Sequence, residues 1–148
     1  MRVGVVSDTH GVLPDAVLEA FAGVSRILHA GDVGSPRVLE LLETVAPVIA
    51  VKGNMDDPAS PLPALANLEL DGVRVLVTHR AGDVPRPLPP GVRVVVTGHT
   101  HVPRLEDREG VLWLNPGSVS QPLSGSGRTV ALLEVTRGEA SAEIVPLS

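Results

Sequence analysis

Seven polar side chains stand out by chemical type and spacing: Asp8, His10, Asp32, Asn54, His79, His99 and His101. Asp8-Thr9-His10 and His99-Thr100-His101 each offer two ligand groups at i and i+2, which extended backbone turns to one side. Imidazole and carboxylate together suit manganese, iron, zinc, cobalt or nickel better than an all-oxygen calcium cage. Seven candidates exceed the needs of one tetrahedral ion. They suit two ions sharing a bridging carboxylate, about 3.5–4 Å apart in such sites. The sequence has no cysteine, so thiolate ligands, cysteine nucleophiles and disulfides are excluded together. Gly31, Gly53 and Gly98 each stand immediately before a candidate ligand, where a missing Cβ permits a tight turn or a close approach.

The elements that must position these residues follow from the apolar pattern. Val3–Val6, Arg26–His29 and Val48–Val51 read as short buried strands. Between them, Pro14 opens a helix with Val17, Leu18 and Phe21 on its apolar face, stopped by Gly23. Ser35-Pro36 caps another, carrying Val38, Leu39, Leu41 and Leu42. Strand-helix-strand-helix-strand predicts a parallel α/β sheet. Beyond it, 57–63 is a proline-rich loop, and Leu68–Leu70 and Val73–Thr78 flank the hairpin turn Asp71-Gly72. Four prolines in 84–91 rule out a helix there. Strands are predicted at Val92–Thr97, at Val102–Leu105 and Val111–Leu114 around the turn 106–110, and at Thr129–Val135 and Ala140–Val145 around Arg137-Gly138; 118–127 is a Ser/Gly loop. The expectation is a parallel first half joined to an antiparallel second half. All the candidate ligands follow or end a predicted strand, the place where ligands gather in open α/β sheets.

Composition narrows the class. At 148 residues, 43 % of them hydrophobic, the chain is expected to form a single domain over 1–148 with a substantial core. A net charge of −5 and only two aromatics, Phe21 and Trp113, argue against general nucleic-acid binding or base stacking. The N-terminus has no signal-peptide pattern and no run approaches the roughly 18 apolar residues of a membrane span, so a soluble cytoplasmic protein without a membrane partner is expected.

Taken together, Ser7-Asp8-Thr9-His10-Gly11, Ala30-Gly31-Asp32, Lys52-Gly53-Asn54-Met55-Asp56, Thr78-His79 and Thr97-Gly98-His99-Thr100-His101 resemble the motifs of calcineurin-like metallophosphoesterases. Their order, and the later Asn115-Pro116-Gly117-Ser118, resemble the small bacterial and archaeal phosphodiesterase branch, to which the retromer subunit of this fold is related. The resemblance implies an α/β fold of two facing mixed β-sheets flanked by helices, with the metal site at the C-terminal ends of strands. It also implies that Asp8, His10 and His101 hold one ion, that Asn54, His79 and His99 complete the other, and that Asp32 bridges. Two divalent ions are expected, manganese foremost, with nickel, iron, zinc or cobalt as alternatives. The sequence departs from the family twice: Met55 stands where many members carry a histidine proposed to protonate the leaving group, and Arg80 where glycine is common. The proline run also leaves little room for a helix that relatives often place between the last two motifs. Met55, Arg80 and Asn115 are placed beside the site, to contact substrate or support the ligands.

Other residues read as structural. His29 fits no ligand position and is expected in the core, bonded to backbone. Asp56 and Asp57 read first as a turn or cap, with organisation of the site as the lesser alternative. Ser118 lies in a tight loop and lacks the partners of a nucleophile, and Arg104 reads as a solvated charge. The expected activity is hydrolysis of a small phosphodiester or nucleotide-like substrate by in-line attack of a metal-bound hydroxide. The alternatives are a phosphomonoesterase or nucleotide hydrolase, and a metal-binding interaction module with vestigial activity. A homodimer stays open as the assembly.

Overall fold

Residues 1–123, 125 and 127–147 are described by a computed structural model. The elements run β1 (Arg2–Val6), α1 (Asp15–Ala20), β2 (Arg26–His29), α2 (Pro36–Glu43), β3 (Val48–Ala50), β4 (Leu65–Leu70), β5 (Val73–Thr78), β6 (Val92–Val96), β7 (Arg104–Arg108), β8 (Val111–Asn115), β9 (Thr129–Thr136) and β10 (Glu139–Pro146), with a short 3-10 turn at Ala81–Asp83. They form two five-stranded sheets, ordered β10-β9-β1-β2-β3 and β4-β5-β6-β8-β7.

The two faces of β1 show how the layers are built. Val3 and Val5 point between the sheets, where they join Leu28, Val75, Val77, Val94, Val96 and Leu114 in one buried cluster. Burial of each such side chain contributes about 1.5–3 kcal/mol. Val6 points the other way, into a second cluster with Val17 and Phe21 of the α1 segment and Val38 and Leu42 of α2. Ser35 caps α2 as expected, its Oγ accepting from Arg37 N at 3.2 Å with Pro36 at the first turn. No helix among the described residues is long and apolar enough to cross a membrane.

The structure corrects the expected topology. The second half is not antiparallel throughout: in the second sheet β5, β6 and β8 pair in parallel, while β4 and β7 at its edges, like the β9–β10 hairpin of the first sheet, are antiparallel to their neighbours. The crossover from β5 to β6 runs through the 3-10 turn and the proline segment, so no helical pattern marks the parallel connection. That segment has no helix, as its prolines led one to expect. Both α-helices pack on the first sheet, whereas the outer face of the second is covered by Val84 and Leu88, packed with Leu76, Val92 and Val95.

Boundaries shift for a related reason. β7 begins at Arg104, and the predicted turn contracts to Glu109-Gly110, both with positive φ. An edge strand can be polar on its open face, and Glu106 ties Arg104 and Arg108 to itself along that face. Apolar runs alone therefore misplace the strand. Of the predicted loop 118–127, Ser124 and Ser126 lie outside the described residues.

The parallel strands of both sheets end on the site. Asp8 and Asp32 follow β1 and β2, Asn54 follows β3, His79 follows β5, and His99 and His101 follow β6. Parallel pairing puts the carboxyl ends of β1, β2 and β3 on one edge of the first sheet, and those of β5 and β6 on one edge of the second.

Candidate metal centre

All seven candidates converge on that edge. Asp8 Oδ1 lies 3.3 Å from His101 Nε2, 3.8 Å from His10 Nε2 and 3.9 Å from His79 Nε2. Asp32 Oδ2 lies 3.2 Å from His79 Nε2 and 3.8 Å from His10 Nε2. Asp8, His10 and His101 form one group with metal-binding geometry; Asp8, Asp32 and His79 form another, so Asp8 belongs to both. Asn54 and His99 stand at the outer margin as a pair, His99 Nδ1 being 3.1 Å from Asn54 Oδ1, with the His99 ring 5.2 Å from that of His79.

Each central ligand is held by one atom and presents the other. Asp8 Oδ2 accepts from Ser7 Oγ and from His99 N, while Asp8 Oδ1 is buried without a partner. Asp32 Oδ1 accepts from Met55 N at 2.8 Å, leaving Oδ2 toward the histidines. His79 Nδ1 donates to Ala30 O, and His101 Nδ1 donates to Gln121 O, each at 2.7 Å. A carbonyl only accepts, so both Nδ1 atoms carry a proton, which leaves each Nε2 as the atom free to bind a metal. His79 Nε2 is likewise buried with no hydrogen-bond partner. Two buried carboxylates thus face imidazole nitrogens around a common volume, in which His10 Nε2 and His101 Nε2 lie 3.4 Å apart. Such a set suits cations, and its mixture of imidazole and carboxylate fits divalent transition metals.

The i, i+2 pairs converge by a different route from the one expected. Asp8, His10, His99 and His101 have φ of 54°, 48°, 73° and 63°, and Asp32 has 54°, so these ligands sit in left-handed backbone and not in extended chain. For residues other than glycine this costs about 1–2 kcal/mol each. The surroundings enforce it: Asp8 N, His10 N and Gly11 N donate to the carbonyls of Gly31, Asp32 and Val33, zipping the loop after β1 to the loop after β2. Strained ligand loops of this kind are a mark of functional sites.

Glycine serves close approach here. A Cβ on Gly53 would overlap Asp32 Oδ1, and one on Gly98 would overlap Ser7 Oγ and crowd Asp8 Oδ2. Gly31 packs against the His79 ring in the same way.

Several supporting residues carry the signal that sequence left ambiguous. Asp56 accepts from Gly34 N at 3.0 Å and Gly53 N at 2.8 Å, joining two ligand-bearing loops, so the lesser alternative for it holds. Burial opposes its ionisation, but the backbone donors of Gly53, Gly34 and Val33 outweigh that and hold its carboxyl below the usual range. Asp57 closes a local turn on Ala59 N. His29 is fully buried. Its Nδ1 accepts from Gly31 N, so Nε2 carries the proton and donates to Thr9 Oγ1, which donates to Val33 O. Burial, above all, lowers its pKa to about 3.

Asn115 is buried behind the ligands, donating to Gly98 O and Thr100 Oγ1, so it supports the site and does not face substrate. Ser118 and Ser120 donate to the Asp8 carbonyl. Ser118 is no nucleophile in this setting. Ser7, Thr9 and the carbonyls of Ala30 and Gln121 were not singled out by sequence reasoning; a carbonyl's partner leaves no trace in residue type. Met55 has a 71 % exposed side chain beside Asn54. Arg80 is exposed next to His79 and makes no ion pair among the described residues. Arg104 pairs with Glu106 at the surface.

Comparison with known proteins agrees with this geometry. The model of the calcineurin-like phosphoesterase superfamily domain matches residues 1–138. A probable metallophosphoesterase of Methanothermobacter thermautotrophicus is 38 % identical, the match covering 98 % of this chain and 92 % of that protein. Phosphodiesterase YfcE of Escherichia coli is 34 % identical over 90 % of this chain and 88 % of its own. Among solved structures, an archaeal phosphodiesterase superposes with a TM-score of 0.78 at 27 % identity, covering 98 % of this chain and 100 % of that one. Zinc-bound Vps29 of Entamoeba histolytica, at 22 % identity, shares the fold with a TM-score of 0.77 and 98 % coverage of each chain. The chain belongs to the calcineurin-like phosphoesterase superfamily.

Proposed function

We propose that this metal-dependent phosphoesterase is a phosphodiesterase whose site holds two divalent ions, manganese foremost, and works by in-line attack of water on phosphorus. The observation that carries the reading is the pair of acceptor groups, Asp8/His10/His101 and Asp8/Asp32/His79, with Asp8 Oδ1 and His79 Nε2 buried and unpartnered. Asp32 is the proposed bridge because its Oδ2 lies between His79 and His10. Asp8 Oδ1 occupies a comparable position and shares the charge. Asn54 and His99, paired at the margin, would complete the surroundings of a second ion.

Bound divalent ions lower the pKa of water toward neutrality and neutralise phosphoryl charge. The chain's own contribution is orientation. Ser7, Met55 N, Ala30 O and Gln121 O each fix one atom of a ligand so that the opposite atom faces the reacting centre. Held before substrate arrives, these groups need no reorganisation during reaction. Two carboxylates against two dications leave a net positive site in an acidic protein, which favours an anionic ester locally.

Met55 sets the substrate preference. A thioether has no proton to donate, so a departing oxygen leaves as an anion or takes a proton from water. General-acid assistance is typically about 10²–10⁴-fold, and its absence favours esters with good leaving groups. With manganese or nickel added, hydrolysis of a nitrophenyl diester is expected to exceed that of glycerol phosphate by at least about a hundredfold. Equal rates would overturn the phosphodiesterase assignment in favour of a monoesterase.

A further inference from the structure

The segment after β8 bonds two candidate ligands at once. Ser118 Oγ donates to the Asp8 carbonyl at 2.8 Å, and Ser120 Oγ donates to the same oxygen at 3.0 Å. Gln121 O accepts from His101 Nδ1 at 2.7 Å, and Leu123 N donates to His101 O at 3.4 Å. Ser118 Oγ also accepts from Ser120 N and Gln121 N, so one hydroxyl both closes the turn and bonds Asp8. Asp8 and His101 have φ of 54° and 63°. Left-handed backbone is costly for residues with a side chain, and it persists only where neighbours fix it. Two hydroxyls fill both lone pairs of the Asp8 carbonyl while Asp8 N is bonded to Gly31 O, so this residue is held from both sides.

The segment is itself anchored. Val119, between the two serines, is fully buried in the cluster with Val6 and Phe21. Thr129 Oγ1 donates to Pro116 O at 2.6 Å, and Gly117, with φ of 79°, lies so close that a Cβ there would overlap that hydroxyl.

Its partners divide by ion. Among the described residues, 118–123 bonds Asp8 and His101 and no other candidate ligand. Asp32 and His79 are held instead by Met55 N and Ala30 O. Asp8 and His101 share the group Asp8/His10/His101, whereas Asp32 and His79 belong to the other. Asp8 contributes to both groups, but its Oδ2 keeps the bonds from Ser7 Oγ and His99 N whatever happens at its carbonyl.

We infer that Ser118 and Ser120 are positioning residues for one ion of the pair, setting the affinity of the Asp8/His10/His101 site separately from that of the Asp32/His79 site. The inference rests on the two-ion reading above.

The test is nitrogen NMR of the imidazoles during titration with chelator-buffered zinc, which reports ligation at each Nε2 separately. In the wild type, His79 Nε2 and His101 Nε2 are both expected to shift on ligation. In Ser118→Ala, His79 is expected to saturate at the wild-type zinc concentration, whereas His101 should need about tenfold more zinc or higher. If that variant does not fold, Ser120→Ala decides the same question, because among the described residues its hydroxyl bonds only the Asp8 carbonyl. A displacement no larger at His101 than at His79 overturns the positioning role and leaves the two-ion reading intact. Failure of either histidine to ligate zinc in the wild type overturns that reading and the inference with it.

Discussion

Replacement of His29 by asparagine is expected to flatten the acid limb of the stability curve. His29 is buried and neutral, bonded through Nδ1 to Gly31 N and through Nε2 to Thr9. Its folded pKa is about 3 against 6.5 for the exposed side chain, chiefly because burial penalises the imidazolium. Between those values the unfolded chain binds a proton that the native chain does not. Stability from this residue is therefore fully present above pH 6.5 and is lost as pH falls toward 3. The slope is ~1.36 kcal/mol per pH unit, giving ~5 kcal/mol across the window, comparable to the total stability of many domains at about 5–15 kcal/mol. Urea unfolding of the metal-free protein at intervals from pH 7 to pH 4 measures it. Asparagine keeps an acceptor near Gly31 N but cannot titrate, so its curve should lack this ~1.36 kcal/mol per pH unit even if it starts lower. Nitrogen NMR of the wild-type ring gives an independent reading, with the neutral Nε2–H tautomer persisting to pH 4. Parallel curves for the two proteins, or an imidazolium already present at pH 5.5, would refute the account.

Gly53→Ala drives a Cβ into Asp32 Oδ1, so metal affinity by calorimetry should fall about 10–100-fold while the circular dichroism of the fold is retained; wild-type affinity would show that Asp32 is not a ligand. Asp32→Asn is expected to leave the chain folded, lose one ion by metal analysis and lose activity; an active, metal-replete variant would remove the bridging assignment. Ions at about a hundred times their Kd stabilise by ~2.7 kcal/mol. Chelation should thus lower Tm by about 5–10 °C, an effect that scanning calorimetry should find missing in Asp8→Asn.

The site was more legible than the topology. Asp and His at i, i+2 after an apolar run can be read from sequence because the strand end, the residue type and the spacing are all local. The three glycines before Asp32, Asn54 and His99 were legible for the same reason, although what they approach was not. Asp56 was ambiguous because a turn cap and a brace between loops use the same carboxylate. The edge strand β7 was displaced because its exposed position tolerates polar residues, so no apolar run marks it.

By itself, the amino-acid sequence determined the candidate ligand set, the exclusion of thiol chemistry, most of the apolar strands and the cap of α2, all of which depend on neighbours a few residues apart. Only the tertiary structure decided that the candidate ligands converge through left-handed backbone, that Asp8 belongs to both groups, and that a proline segment covers the second sheet. These properties arise from contacts between segments far apart in the chain, where backbone carbonyls and empty space matter as much as side chains, and neither is encoded by residue type.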